Sequence, residues 1–216
     1  MQNDSKQHWD TIYTTKAPHQ VSWTQHSPET SIHYFEQLHL AKDCAIIDVG
    51  GGDSHFVDYL LLNGYTNISV LDISEKAIER TKKRLGDVAS KVHWIVSDIN
   101  DFHPTESYAF WHDRAAFHFL TTQKEKSNYV SICTSHAENI LIGTFSFNGP
   151  IKCSGLDITQ YDEQSLTKLF TSDNLELAAF EYVDHISPSG ATQNFIFCLF
   201  TSCQPSLVSE NGVHLV

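Results

Sequence analysis

Three acids and a run of glycines stand at spacings that could hold a hydroxyl-bearing, positively charged ligand. Asp48 lies in the apolar run Cys44-Ala-Ile-Ile-Asp-Val49, Gly50-Gly51-Gly52 follows at once, and Asp72 ends a second apolar run 20 residues after Gly52. Consecutive glycines let the backbone turn sharply and approach a ligand with no Cβ in the way. An acid at that distance beyond the turn can accept both hydroxyl protons of a ribose. Asp98 follows a third apolar run, Val92-His-Trp-Ile-Val96. Open α/β sheets bind ligands at the carboxyl ends of their strands, so three parallel strands would bring these acids to one edge. A helix start beside the glycines would favour phosphate. Acids flank this turn and no Lys or Arg stands near it, which suits a phosphate-free cationic ligand better.

The acids need strands behind them, and the chain alternates strand and helix patterns. Residues 45–49 read as strand, 54–63 as helix ended by Asn63-Gly64, and 67–72 as strand. A helix starts at Ser74 and closes at Gly86, strand 92–96 follows, and 108–111 reads as a fourth strand. Helix 123–138, strand 138–145 and helix 162–170 come next. Two long strands, 175–186 and 193–201, are joined across Ser187-Pro-Ser-Gly190 and must be antiparallel. An earlier helix opens at Ser27-Pro28-Glu29. The pattern predicts an α/β fold, doubly wound around a mostly parallel sheet with a C-terminal antiparallel hairpin.

At 216 residues the chain suits one domain. A formal charge of −12 argues against a general nucleic-acid or anionic-membrane binder, whose affinity rests on Lys and Arg. The five cysteines (44, 133, 153, 198, 203) are odd in number and scattered, and none of the 13 histidines has ligand spacing. No metal site and no disulfide framework is expected. With no signal sequence or membrane-length apolar run, the expected location is the cytoplasm.

The glycine spacing separates two nucleotide-binding families. A dinucleotide fingerprint, G-x-G-x-x-G/A, would need a small residue where His55 or Phe56 stands. The pattern D-x-G-x-G-x-S fits instead, with Asp48, Gly50, Gly52 and Ser54. It resembles motif I of the class I S-adenosylmethionine-dependent methyltransferases, with Ser54 in place of the usual Gly. Those enzymes have a seven-stranded sheet whose last strand inserts antiparallel, as the terminal hairpin here would allow. The resemblance covers about residues 44–201.

It implies S-adenosylmethionine as cofactor, leaving as S-adenosylhomocysteine, and a cofactor site made of Asp48, Gly50, Gly51, Gly52, Ser54, Asp72, Ile73, Asp98, Ile99 and Trp111. Asp72 would take the ribose and Asp98 the adenine amine, with Ile73 or Ile99 on the ring. Asp48 would act on the glycine loop and through it on the methionine amino group. Phe110-Trp-His-Asp-Arg114 falls where these enzymes face the transferable methyl. There Trp111 would wall the pocket, His112 and Asp113 would be catalytic, and Asp113 and Arg114 would form a polar pair.

The N-terminal stretch His8-Trp-Asp-Thr-Ile-Tyr13, with Trp23 beyond it, is similar to the lid of small lysine methyltransferases acting on elongation factor. Tyr13, Trp23 and Arg114 are the expected lid and substrate residues. The expected organisation is a helical lid over 1–43, a cofactor-binding methyltransferase domain over 44–202, and a loose tail over 203–216. The acceptor would be a small molecule or a protein side chain. Two other readings stay open: a non-catalytic S-adenosylmethionine-binding regulator or partner, and a nicotinamide-dependent oxidoreductase. The second lacks the small residue at 55.

Overall fold

Five β-branched or apolar strands running the same way form the centre of the molecule. The computed structural model describes residues 2–172 and 174–202; the expected tail over 203–216, with Cys203, lies outside the described residues. Strands β1 (Ala45–Val49), β2 (Asn67–Asp72), β3 (Val92–Val96), β4 (Phe110–Arg114) and β5 (Asn139–Phe145) are parallel. β8 (Leu175–Ile186) and β9 (Thr192–Ser202) form the antiparallel hairpin, and β9 inserts beside β5. The order is β3-β2-β1-β4-β5-β9-β8, which makes the expected seven-stranded, doubly wound sheet. The order reverses between β1 and β4, where such sheets open a ligand crevice at their carboxyl ends.

Helices α1 (Gln2–Thr15), α2 (Glu29–Gln37), α3 (Phe56–Leu62), α4 (Glu75–Leu85), α5 (Gln123–His136) and α6 (Glu163–Phe170) surround the sheet. A two-stranded β6 (Lys152–Cys153) and β7 (Leu156–Asp157) fold back beside it. Strand alternation divides the core. Ile47, Val49, Trp111 and Ile142 pack with Tyr129, Leu166 and Phe170. Ile46, Phe110 and Leu141 pack on the other face with Phe35, Phe56 and Leu60. Among the described residues no helix is long and apolar enough to cross a membrane.

Caps set the helix limits. Ser74 caps α4 by accepting from Ala77 N, and Gly86 ends it at φ +60°. Thr122 and Glu125 form a reciprocal box at the start of α5. β4 departs from expectation. It occupies 110–114 rather than 108–111, pairing Phe110 with Ile46 and Asp113 with Val49. A central strand that runs through His-Asp-Arg has no apolar signature, and it exists because those polar groups find partners inside.

Candidate functional site

The glycine turn after β1 lies over two carboxylates. Gly52 N–H donates to Asp72 Oδ2 at 2.9 Å, and Ser74 N–H donates to Asp72 Oδ1 at 2.7 Å. A Cβ on Gly52 would sit 2.6 Å from Asp72 Oδ2 and 2.6 Å from Ala77 Cβ. A Cβ on Gly51 would sit 2.2 Å from Asp48 Oδ2. Gly50 is left-handed, at φ +69°, and a Cβ there would strike that of Ala116 at 2.6 Å. So the room left by the missing side chains is filled first by the protein's own acids and by the turn after β4. Gly52→Ala is therefore expected to displace the Asp72 carboxylate and to weaken any ligand that Asp72 holds by about tenfold, the equivalent of about 1.4 kcal/mol. Calorimetric titration with S-adenosylhomocysteine checks this, and unchanged affinity would mean the loop has slack.

Asp48 has one engaged and one unengaged oxygen. His112 Nδ1–H donates to its Oδ1 at 2.7 Å, since a carboxylate can only accept. His112 Nε2 meets Ser31 Oγ, on α2, at 2.8 Å. Asp48 Oδ2 is buried without a partner. A buried carboxylate oxygen is costly to leave unpaired, so this one suits an incoming cationic donor. Asp48, Gly50, Gly51, Ser54 and His112 line one hollow together with Tyr13 and Trp23. Ser54 Oγ itself accepts from Phe56 N at 3.0 Å.

A larger cavity of about 200 Å³ adjoins it. One end holds Asp72, Ile73, Asp98 and Ile99. Burial pushes the Asp72 carboxyl up to about 6, against hydrogen bonds from Ser74 and Gly52 that pull it down. Asp98 Oδ1 accepts from Asn100 N at 2.9 Å. The other end is apolar, walled by Trp9, Phe119, Phe145, Cys153 and Leu156. Among the described residues no group of three His, Cys, Asp or Glu side chains is placed to hold a metal ion.

The run 111–114 does not act as one polar face. Successive strand residues point to opposite sides. Trp111 is in the core, where its Nε1–H donates to Tyr129 Oη at 3.0 Å, and it lines neither space. Asp113 shares that face. It accepts from Tyr129 Oη–H at 2.7 Å and from Ala116 and Phe117 N–H at 3.0 and 3.1 Å. Burial lifts its carboxyl to about 6. Arg114 points the other way and donates from Nη1 to Trp23 O at 2.9 Å, so the expected Asp113–Arg114 pair does not form. Asp113 holds the turn in which Ala115 is left-handed, at φ +69°, and which presents Ala116 to Gly50.

Tyr13 and Trp23 come together as expected, with ring centroids 6.2 Å apart. Trp9 joins them, 5.7 Å from Trp23 and 4.9 Å from Phe119. Sequence reasoning missed Trp9, although it stands one helical turn before Tyr13 and therefore on the same face. Ser31 was missed too, and a serine inside a helix carries no signal for a partner on a distant strand. Helix α1 is latched to α4. Ser74 Oγ donates to Asp10 Oδ1 at 2.7 Å, and Arg80 Nη2 donates to Tyr13 O and Lys16 O. Cys153, on β6, is buried, and burial pushes its thiol up to about 11.

The comparisons with known proteins agree with this geometry. A family model described as a methyltransferase domain matches residues 46–136. A malonyl-[acyl-carrier protein] O-methyltransferase of Ilyobacter polytropus is 28% identical over 105 residues, covering 48% of this chain and 39% of that protein. The chain thus matches only about two fifths of that relative's length. Among solved structures, an S-adenosylmethionine-dependent methyltransferase from Anabaena variabilis superposes with a TM-score of 0.73 at 13% identity, over 94% of this chain and 95% of that one. An N-methyltransferase from Bradyrhizobium japonicum, in complex with S-adenosylhomocysteine, superposes at 0.67 and 13% identity, over 93% of this chain and 99% of that one. At such identities the likeness is one of fold.

Proposed function

We propose that this chain is a class I S-adenosylmethionine-dependent methyltransferase and that it moves the cofactor's methyl group to a small-molecule acceptor by direct displacement. The observation that carries the reading is the buried, unpaired Asp48 Oδ2 beside the glycine turn. It lies in a crevice that Asp72 and Asp98 make acidic. The residues fit the cofactor. Asp48 Oδ2 would receive its ammonium, Asp72 its ribose hydroxyls and Asp98 its adenine amine, with Ile73 or Ile99 against the ring. When bound, the cofactor supplies a methyl group activated by a sulfonium.

The protein's own contribution is alignment and exclusion of water. Gly50, Gly51 and Gly52 let the backbone lie close over Asp48 and Asp72, and Ser54 holds the start of α3. His112 acts on Asp48 rather than on the acceptor, because both its ring nitrogens are engaged inside the protein. Trp111 and Asp113 act from behind, fixing β4 and the turn at 115–117. Tyr13 and Trp23, with Arg114 holding the Trp23 carbonyl, close the lid. Phe119, Phe145, Cys153 and Leu156 shape an apolar acceptor space, and α1 and the β6–β7 hairpin enclose it, which favours a small molecule over a protein side chain. The Cys153 thiol, pushed up to about 11, offers no base there. An acceptor whose attacking atom has lost its proton at neutral pH needs none. Free thiols at Cys44, Cys133, Cys153 and Cys198 suit the reducing cytoplasm.

Incubating the protein with a cell extract and methyl-labelled S-adenosylmethionine tests the reading. Label is expected in small molecules; label in protein would move the acceptor class, and cofactor binding without any transfer would leave a non-catalytic binder. The lid has its own test. Asp10→Ala removes the Ser74–Asp10 bond of the α1–α4 latch, leaving the Arg80 bonds in place, and should raise the S-adenosylhomocysteine off-rate roughly three- to tenfold, since one such bond is worth about 1 kcal/mol. Stopped-flow tryptophan fluorescence measures it, and an unchanged rate would mean α1 does not gate the site.

A further inference from the structure

Arg114 stands at the join of the two spaces and lines both. Its guanidinium has five N–H donors in a planar fork, yet among the described residues the acceptor it meets is Trp23 O, 2.9 Å from Nη1. Its Nε is buried and has no partner. Among the described residues no carboxylate forms an ion pair with it. The nearby acid, Asp48, spends Oδ1 on His112. The Phe195 ring lies 5.1 Å from the guanidinium carbon, a cation–π contact that supports the charge but leaves the in-plane N–H donors unmet. Burial pulls the Arg114 pKa down to about 10, far above neutrality, so the group stays charged.

An unpaired guanidinium inside a cavity is costly unless a ligand supplies the missing acceptors. The Nε edge of Arg presents two parallel donors, which match the two oxygens of a carboxylate. Other cationic side chains of the region are already engaged: Arg80 pairs with Asp53 at 2.9 Å, and Arg84 pairs with Asp58 at 2.7 Å. Among the described residues that line these two spaces, Arg114 is therefore a cation available to a ligand.

We propose that Arg114 is a carboxylate-binding subsite, its Nε edge receiving a carboxylate from the bound ligands. This rests on the cofactor reading given above. The carboxylate has two possible sources, the amino-acid tail of the cofactor, on the Asp48 side, or an acidic acceptor, on the apolar side. Both present the same chemistry to the guanidinium, and titration separates them.

The test compares wild type, Arg114→Gln and Arg114→Lys by calorimetry with two probes. S-adenosylhomocysteine carries the amino-acid carboxylate, and 5′-methylthioadenosine keeps the nucleoside and thioether without that tail. A third titration adds hexanoate, with methyl hexanoate as control, to the S-adenosylhomocysteine complex. If the tail is the source, Arg114→Gln weakens S-adenosylhomocysteine by about tenfold or more and leaves 5′-methylthioadenosine unchanged. If the acceptor is the source, both nucleosides bind as before, and the wild-type complex binds hexanoate but the Gln variant does not.

Arg114→Lys keeps the charge but loses the fork, and should show a smaller loss in the same probe. It carries the test if the Gln variant does not fold. Equal weakening of both nucleosides would make Arg114 a support for the Trp23 loop and overturn the proposal, as would no change in any titration. Failure of wild type to bind either nucleoside would overturn the cofactor reading and this inference with it.

Discussion

Asp113→Ala is expected to lower stability by about 2–4 kcal/mol, because it strands three donors at once, two of them buried. Tyr129 Oη–H loses its acceptor, and so do the N–H groups of Ala116 and Phe117. For a chain of this size the melting temperature should fall by roughly 5–15 °C. The loss reaches the site through the backbone. The carboxylate holds the turn that keeps Ala115 left-handed; without it that strain can relax, and Ala116 need no longer lie against Gly50.

Asp113→Asn separates charge from shape. Burial raises the carboxyl to about 6, above the unfolded value of about 3.9. The group's contribution is therefore most favourable below pH 4 and is lost as pH rises through 6. A neutral amide escapes that burial cost at pH 7 and keeps one oxygen for the turn, so its stability should stay within about 1 kcal/mol of wild type. Thermal unfolding at pH 5 and pH 7 measures both variants. An Ala variant as stable as wild type would remove Asp113 from its structural role and return it to the acceptor side.

The acids of the crevice were legible because each ends an apolar run, and a strand end in a parallel sheet is also a ligand edge. That held for Asp72 and for Asp98, both of which line the cavity. The terminal hairpin was legible from its length and from the turn at Ser187–Gly190. What failed was the reading of 111–114 as one polar cluster. Taken as the last residue of a strand and the three after it, Trp111, His112, Asp113 and Arg114 looked free to face one pocket. As residues within β4 they alternate, and Trp111 and Asp113 go to the α5 side while His112 and Arg114 go to the α2 side. The glycines were read in part. Their need for space was visible, but the occupant of that space, two carboxylates of the same chain, depends on contacts between strands distant in sequence. Ser31 shows the same limit, since its importance comes only from what the fold sets opposite it.

Asp72→Ala is expected to weaken S-adenosylhomocysteine by about 1.5–3 kcal/mol, roughly 10- to 150-fold, through the loss of charge-assisted hydrogen bonds to the ribose. The pH dependence supplies a second, independent reading. The carboxyl sits at about 6 in the free protein, chiefly because it is buried. Ribose hydroxyls donate to the ionised form and favour it. Binding therefore releases a proton near and below pH 6, and affinity should fall as pH drops through 6, approaching tenfold per pH unit once the group is largely protonated. Above pH 7 the carboxyl is already ionised, and affinity should be flat with respect to this group. Asp72→Asn should bind weakly at every pH and abolish the slope. Calorimetry at pH 5, 6 and 7, in two buffers of different ionisation enthalpy, gives affinity and proton release together. Wild-type affinity that stays level from pH 7 to pH 5, with no proton released, would show that the cofactor does not rely on an ionised Asp72. The ribose would then have to be placed elsewhere along the sheet edge.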